Sequence, residues 1–158
     1  MIVLVLMLFG ISVGVGIYIK MLNQTKIKFK LDILNFCDYT KAQIGFAQKP
    51  LKQIILGYAD GATAELKKIL LDYANWLGKS ESFRVMNKEL TVDEMATLNA
   101  LFNELGKSDA ARQVELCENT KTLLRGGYED YKAKKQRAGD LGLKLSICAG
   151  LLVAILLI

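Results

Sequence analysis

The sequence predicts an all-α protein, in which an antiparallel helical bundle is flanked by an N-terminal and a C-terminal transmembrane helix. Three observations lead to this prediction. Both ends of the chain are long apolar runs, the middle repeats apolar residues at three- and four-residue steps, and no segment alternates as an amphipathic strand does. We therefore divide the chain into residues 1–19, a helical domain over residues 20–140, and residues 141–158.

The two apolar runs, residues 1–19 and 145–158, contain no charged side chain. At a helical rise of about 1.5 Å per residue, the first run reaches roughly 28 Å, close to the thickness of a bilayer's apolar core. The second reaches about 27 Å when it is counted from Leu141 and Lys144 extends to the headgroups. A helix on the surface of a soluble domain would carry a polar stripe, so we expect two membrane helices.

Basic residues lie mainly on the inner flanks of these runs. They are Lys20, Lys26, Lys28 and Lys30 after the first run, and Lys132, Lys134, Lys135, Arg137 and Lys144 around the start of the second. Because lysine and arginine near a membrane helix favour the cytoplasmic side, we expect the domain to face the cytoplasm. The formal charge of +5 is then explained by anionic lipid headgroups rather than by a nucleic acid.

Small residues recur at four-residue steps within both apolar runs, and such faces let helices approach closely in lipid. We expect the two runs to pack against each other, against a second copy in a homo-oligomer, or against a partner. The residues predicted to form these packing faces are Gly10, Gly14, Ser12 and Gly16 in the first run and Ser146 and Gly150 in the second.

The first half of the domain predicts three helices. One continues from Lys20 to about Gln48, a short one begins at Pro50, and a third covers about residues 62–77 after the Asp60-Gly61 turn. The inward-facing residues of the three are Ile27, Leu31, Leu34 and Cys37; Leu51, Ile54, Ile55 and Tyr58; and Leu66, Ile69, Leu70, Tyr73 and Leu77.

The second half begins with residues 80–90, for which we predict a short helix packed through Phe83, Val85 and Met86. Thr91 and Glu94 have the spacing of a capping box and start the next helix. Asp109 and Ser108 cap a last long helix, which we expect to kink or break at Gly126-Gly127, since two glycines cost about 2 kcal/mol. The inward-facing residues of the two long helices are Val92, Met95, Leu98, Phe102 and Leu105, then Val114, Cys117, Leu124, Tyr128 and Tyr131.

The chemistry of catalysis is poorly represented in this sequence. Histidine, the commonest general base and metal ligand, does not occur. Cys37, Cys117 and Cys148 are scattered and form no metal-binding or disulfide spacing. The carboxylates of Asp93, Glu94 and Asp109 are explained by helix capping. We therefore predict a protein that is not an enzyme, with no cofactor and no metal site.

Two short motifs resemble the stage III sporulation protein AB family. Residues 105–109, Leu-Gly-Lys-Ser-Asp, are followed by Gln113 and resemble the family's Leu-Gly-basic-Ser-Asp turn. Residues 46–51, Phe-Ala-Gln-Lys-Pro-Leu, resemble its aromatic-Gly-x-x-Pro-Leu turn, with Ala47 where glycine is expected. The leucine-rich end over residues 150–158 is also similar, and so is the arrangement of the whole chain. Gly126-Gly127 departs from the continuous charged helix that the family implies.

The resemblance implies a platform component of the channel complex between mother cell and forespore. It would lie in the mother-cell (outer forespore) membrane, couple a cytoplasmic secretion-type ATPase to the channel, and have a domain similar to the type II secretion inner-membrane platform protein. An alternative is a platform subunit of another type II secretion or type IV pilus-like system, and a third is a membrane-tethered nucleic-acid binder. Candidate partner-binding residues at the two turns are Lys49, Lys107, Asp109 and Arg112.

Overall fold

The computed structural model describes residues 2–47 and 49–156, and every regular element among them is helical. The elements are α1 (Ile2–Ala42), a π-helix (Gln43–Ala47), α2 (Leu51–Ala59), α3 (Ala64–Trp76), α4 (Val92–Glu104) and α5 (Ala110–Leu156). The prediction of an all-α protein is therefore confirmed. The helix that we predicted to end near Gln48 has its last residue outside the described part.

The chain forms two compact units. Met1–Ile27 and Glu129–Ile158 make up the first, which we call the helix pair, and Lys28–Tyr128 make up the second, which we call the helical domain. These units differ from the segments predicted around residues 19 and 141. That prediction concerned a membrane boundary, which packing does not test, and it stays a prediction.

The helix pair consists of two antiparallel helical segments. The Ser12 Oγ donates a hydrogen bond of 2.6 Å to the carbonyl of Ser146, and the Lys20 Nζ lies 3.0 Å from Asp140 Oδ1. A Cβ added to Gly16 would lie 2.9 Å from the Ser146 Oγ, so the helices approach closely at this point. Ser12 pairs with Ser146 and Lys20 with Asp140, so residue numbers that increase along α1 pair with residue numbers that decrease along α5, and the two segments are antiparallel.

No helix contains, within the described residues, a run that is long and apolar enough to cross a membrane. The two membrane helices predicted over residues 1–19 and 141–158 are therefore not supported by the structure. Residues 1, 157 and 158 of those segments lie outside the described part of the chain.

The core of the helical domain is built around aromatic rings. Phe102 is 1% exposed, and its ring centroid lies 4.6 Å from that of Tyr73, 5.6 Å from that of Phe83 and 6.0 Å from that of Phe36. The Tyr73 hydroxyl donates a hydrogen bond of 2.8 Å to the Phe102 carbonyl, so the buried phenol is satisfied. Leu31 and Val92, predicted to face inward, are instead exposed.

Within residues 80–90, which bend at 80–81 and turn at 88–90, residues 82–87 form an extended segment, so the short helix predicted there is wrong. The backbone N–H groups of Phe83 and Val85 donate to the side-chain oxygens of Asn103 and Asn99, at 2.8 and 2.6 Å. These two asparagines on α4 supply the hydrogen bonds that a helix would have made internally. As in a strand, side chains alternate: Phe83 and Val85 are buried, and Met86 is 88% exposed.

The predicted start of α4 is confirmed, whereas the break predicted inside α5 is wrong. Thr91 and Glu94 form the capping box, and Asp109 Oδ1 accepts a hydrogen bond of 2.9 Å from the Arg112 N–H at the start of α5. Pro50 lies one residue before α2 rather than inside its first turn. Helix α5 continues without interruption through Gly126-Gly127.

A buried ion pair connects α1, α4 and α5. The Lys30 Nζ lies 2.7 and 2.6 Å from the two carboxylate oxygens of Glu94, and the side chains are only 5% and 11% exposed. The same carboxylate accepts a hydrogen bond of 2.8 Å from the Thr91 N–H. A Cβ added to Gly127 would lie 3.3 Å from Glu94 Oε1, so glycine leaves space for this carboxylate beside α5. One of the two glycines that we predicted to kink or break α5 is therefore the glycine that leaves room for Glu94.

We expect the replacement Lys30→Met to destabilise the helical domain by about 3–5 kcal/mol, because it leaves the Glu94 carboxylate buried without a countercharge. Urea unfolding of the full chain, followed by circular dichroism, measures this loss. Lys28→Met removes an exposed lysine of the same helix and serves as the matched control. Removing both charges, in Lys30→Met/Glu94→Gln, should recover part of the loss. Equal unfolding of the Lys30 and Lys28 variants would contradict this assignment.

We expect Leu98→Asp and Phe102→Asp to unfold the domain, because each buries an unpaired charge in a position that is 2% or 1% exposed. Val92→Asp, on the same helix but 77% exposed, is the control and should unfold as the unmodified chain does. Thermal unfolding compares the three, and an unchanged transition in Phe102→Asp would show that the core is assigned wrongly.

Candidate partner-binding surface

The two turns that carry the family resemblance come together in the helical domain. One is the π-helix with the residues that follow it, and the other joins α4 to α5. A Cβ added to Gly106 would lie 2.9 Å from the Leu51 Cδ2, and one added to Gly45 would lie 4.0 Å from the Val114 Cγ2. Two motifs that are distant in the sequence therefore form one continuous surface.

A pocket of about 360 Å³ lies between these turns, and we call it the junction pocket. Its apolar side chains come from the first turn, from α2 and from Ala110 at the start of α5, and its polar side chains are a lysine and a glutamine. The lining residues are Ile44, Lys49, Leu51, Ile54, Gly106, Ala110 and Gln113. An apolar pocket with a few polar groups is a common form of binding site.

The turn between α4 and α5 is held in shape by local interactions. Gly106 has a φ of +88°, in the left-handed region that glycine adopts without strain after a helix C-terminus. The Gly106 N–H donates to the Gln113 Oε1 at 3.2 Å, and the Gln113 Nε2 donates to the Ser108 carbonyl at 2.5 Å. Gln113, the residue that follows the second motif, thus fixes this turn and lines the pocket.

Phe46 is the most exposed large apolar side chain among those that the structure describes, at 93%. It belongs to the π-helix, a type of turn that often occurs at functional sites. Exposed aromatic side chains beside a pocket are typical anchors of protein interfaces. Phe46 was not among the site residues predicted from the sequence, although its place between Gly45 and Pro50, both helix breakers, was a signal that it does not belong to a core helix.

The four charged candidates have different roles. Lys49 lines the junction pocket. Lys107 and Arg112 are exposed on and just after the second turn, where the Lys107 Nζ lies 3.7 Å from Glu104 Oε1. Asp109 caps α5 through the Arg112 N–H, so its carboxylate already has a structural partner.

The six residues predicted to form packing faces in the two apolar runs are also placed differently. Ser146 contacts Ser12 and lies against Gly16, and Gly150 is buried. Among the described residues, nothing lies within 4 Å of a Cβ added to Gly10 or to Gly14. In this part of the chain the close approach is therefore at Gly16.

The cysteines of the domain are held in their neutral form. Burial raises the pKa of the Cys37 thiol to about 12, with a smaller contribution from Cys117, and burial raises the pKa of Cys117 to about 11. Thiolates are the reactive form of cysteine, so neither group is a nucleophile near neutral pH. No cluster of metal-binding side chains occurs among the described residues.

One tyrosine–aspartate contact fixes α2 and α3 on α1 within the same domain. The Tyr58 hydroxyl donates to Asp32 Oδ1 at 2.7 Å, and the Thr63 N–H donates to Asp32 Oδ2 at 2.7 Å. Burial first, and then this hydrogen bond, raise the pKa of Tyr58 well above its usual range. Asp32 thus sets the position of α2, whose Leu51 and Ile54 line the junction pocket.

We expect Gly106→Ala to destabilise the domain by about 1–2 kcal/mol or more, because the left-handed backbone disfavours a Cβ and this Cβ would collide with Leu51. Gly61→Ala is the control: its Cβ has nothing within 4 Å among described residues, and its backbone is not left-handed, so stability should stay equal or rise slightly. Chemical denaturation measures both. A Gly106 variant as stable as the Gly61 variant would exclude the described turn.

Comparison with known protein families gives a match over the whole chain. The family model described as stage III sporulation protein AB (spore_III_AB) matches residues 1–158, the whole chain. Neither characterised proteins nor solved structures give a match to this chain.

Proposed function

The chain belongs to the stage III sporulation protein AB family and so has a role in stage III of sporulation, and from this premise we propose that it is a non-enzymatic membrane platform. In this proposal, it couples a cytoplasmic secretion-type ATPase to the channel between mother cell and forespore. The helical domain binds the partner, and the helix pair holds the protein at the mother-cell (outer forespore) membrane.

The junction surface is the observation that carries the partner-binding part of this proposal. We define it as the junction pocket together with Phe46, Lys107 and Arg112. It combines an exposed aromatic ring, an apolar pocket and basic side chains. Aromatic and arginine side chains contribute most of the binding energy at protein interfaces, and lysines at the edge steer acidic partners. A surface of this kind is suited to binding a protein rather than to chemistry.

The helix pair supports attachment to a membrane. Among described side chains, fourteen exposed large apolar residues belong to the helix pair, compared with seven in the much longer helical domain. Large exposed apolar surfaces mark interaction sites with membranes or proteins. The hydroxyls of Ser12 and Ser146 are meanwhile satisfied by carbonyls inside the pair. The proposal is of attachment by this pair, and it does not require that either described helix crosses the bilayer.

The other two interpretations receive less support. The family model covers the whole chain, which favours the sporulation complex over another type II secretion or type IV pilus-like system. The helical domain contains fourteen basic and thirteen acidic residues, so it is nearly neutral and has no charge excess of the kind that binds nucleic acids.

Co-purification from membranes with the ATPase of the sporulation complex tests the proposal. We expect Phe46→Ser to weaken the affinity for the ATPase by at least about tenfold, the effect of losing one interface anchor. Met86→Ser is the matched control, since Met86 is 88% exposed in the extended segment and belongs to neither turn. Both variants should fold like the unmodified chain, as circular dichroism would verify.

A second pair of variants tests the basic side chains. Lys107→Glu/Arg112→Glu should lose the ATPase, whereas Lys79→Glu/Lys88→Glu, the same charge change at exposed sites elsewhere in the domain, should retain it. Retention of the ATPase by all four variants, or equal loss in variant and control, would contradict the assignment to the junction surface. Absence of the protein from the membrane fraction would contradict the attachment.

A further inference from the structure

We propose that the helix pair binds the phosphate group of a lipid headgroup, in a cleft between its two helices. This inference rests on the membrane attachment proposed above and names a specific ligand site within it. The cleft has a volume of about 350 Å³. It is lined by Lys20, Asn23, Gln24 and Ile27 of α1, and by Lys135, Gln136, Gly139 and Asp140 of α5.

The lining provides donors of the kind that phosphate oxygens accept. The two lysines carry ammonium groups, and Asn23, Gln24 and Gln136 each carry an amide NH₂. Hydrogen bonds from charged donors to phosphate are roughly twice as strong as neutral ones. The helices lie close at the base of the cleft, because a Cβ on the buried Gly139 would be 3.6 to 3.7 Å from Lys20 and Asn23.

The charge of the cleft matches one phosphodiester. The Lys20 Nζ lies 3.0 Å from Asp140 Oδ1, and Lys20 keeps further N–H donors because an ammonium has three. The Lys135 Nζ lies 5.6 Å from the centroid of the Tyr131 ring, a contact that limits the directions of its side chain. Two lysines and one aspartate leave a net charge of +1, which complements the single negative charge of a lipid phosphodiester.

The position of the cleft favours a lipid over a soluble phosphate. On α1 it begins at Lys20, directly after the charge-free run, and on α5 it ends at Asp140, directly before Leu141. Tyr18, Ile19 and Leu141, next to the cleft in sequence, are exposed apolar side chains. A bound molecule with a phosphate and an acyl chain would therefore find polar groups and apolar surface in adjoining positions.

The distribution of charge between the units supports the same ligand. The helix pair contains seven lysine and arginine residues and three aspartate and glutamate residues, whereas the helical domain is nearly neutral. Basic residues near a membrane surface are attracted to its anionic headgroups. The general attraction thus concentrates anionic headgroups at the helix pair, and the cleft provides a defined site.

The test counts lipids bound to the full-length protein in micelles by native mass spectrometry, with phosphatidylglycerol as the probe. We expect Lys20→Gln/Lys135→Gln to weaken phosphatidylglycerol binding by about tenfold or more, the loss of charge-assisted contacts. Lys134→Gln/Arg137→Gln removes the same charge from exposed residues that do not line the cleft, and its affinity should fall by no more than about twofold. Asn23→Leu, which keeps the charge and removes one donor, should have an intermediate effect.

Two outcomes would overturn the inference. Equal losses in the two double variants would indicate a general attraction rather than a site. Displacement of the lipid by inorganic phosphate at an equal concentration would indicate that a soluble phosphate is the ligand.

Flotation with phosphatidylcholine vesicles, with and without phosphatidylglycerol, separates this inference from the proposed function. Binding to both kinds of vesicle, combined with equal lipid counts in the two double variants, would refute the cleft and leave membrane attachment intact. Failure to float with either kind would refute the attachment itself, while the micelle measurement still decides the cleft.

Discussion

The helical domain depends on one buried charge pair. Lys30 comes from α1 and Glu94 from the first turn of α4, and the carboxylate is at once the countercharge of a buried ammonium and part of a helix cap. Two ions taken out of water are costly unless both are fully hydrogen-bonded. In the observed packing, α1, the start of α4 and Gly127 of α5 come to one point, and there each charge has its partner. The aromatic core buries apolar surface, and the ion pair adds the requirement that α1 and the start of α4 meet at this point.

A second charged side chain of α1, Asp32, connects the core to the junction surface. Its carboxylate accepts hydrogen bonds from Tyr58 and Thr63, and these two bonds hold α2 and the start of α3 on α1. Leu51 of α2 then contacts the turn at Gly106, and the pocket forms between them. Phe46 can remain exposed because this surface is built by backbone turns and α2 rather than by its own ring. Partner binding would then require no rearrangement of the core.

Local sequence patterns predicted most of the fold. The features that they did not predict depend on contacts between residues that are distant in the sequence. The capping box of Thr91 and Glu94, and the apolar period around Leu98 and Phe102, are local patterns and were correct. The helix break at Gly126-Gly127 was wrong: α5 continues through both glycines, because a local propensity cost of about 2 kcal/mol does not by itself end a helix of 47 residues. For the candidate surface, the motifs identified both turns from the sequence. The contact between the two turns and the exposure of Phe46 depend on tertiary structure. An aromatic side chain is usually buried, so the sequence alone favoured a core position for Phe46.

The extended segment has a geometric consequence. Asn99 and Asn103 are separated by one helical turn, a rise of about 6.0 Å, and the residues they hold, Val85 and Phe83, are two strand positions apart, about 6.6 Å. These two repeat lengths nearly coincide, so a helix can serve as a template for an antiparallel extended chain through its side chains. The repeats differ by about 0.6 Å, so the misalignment between helix and extended chain increases with each further repeat. A helix can therefore hold an extended chain in this way over only a few repeats, and here Asn99 and Asn103 each hold one residue.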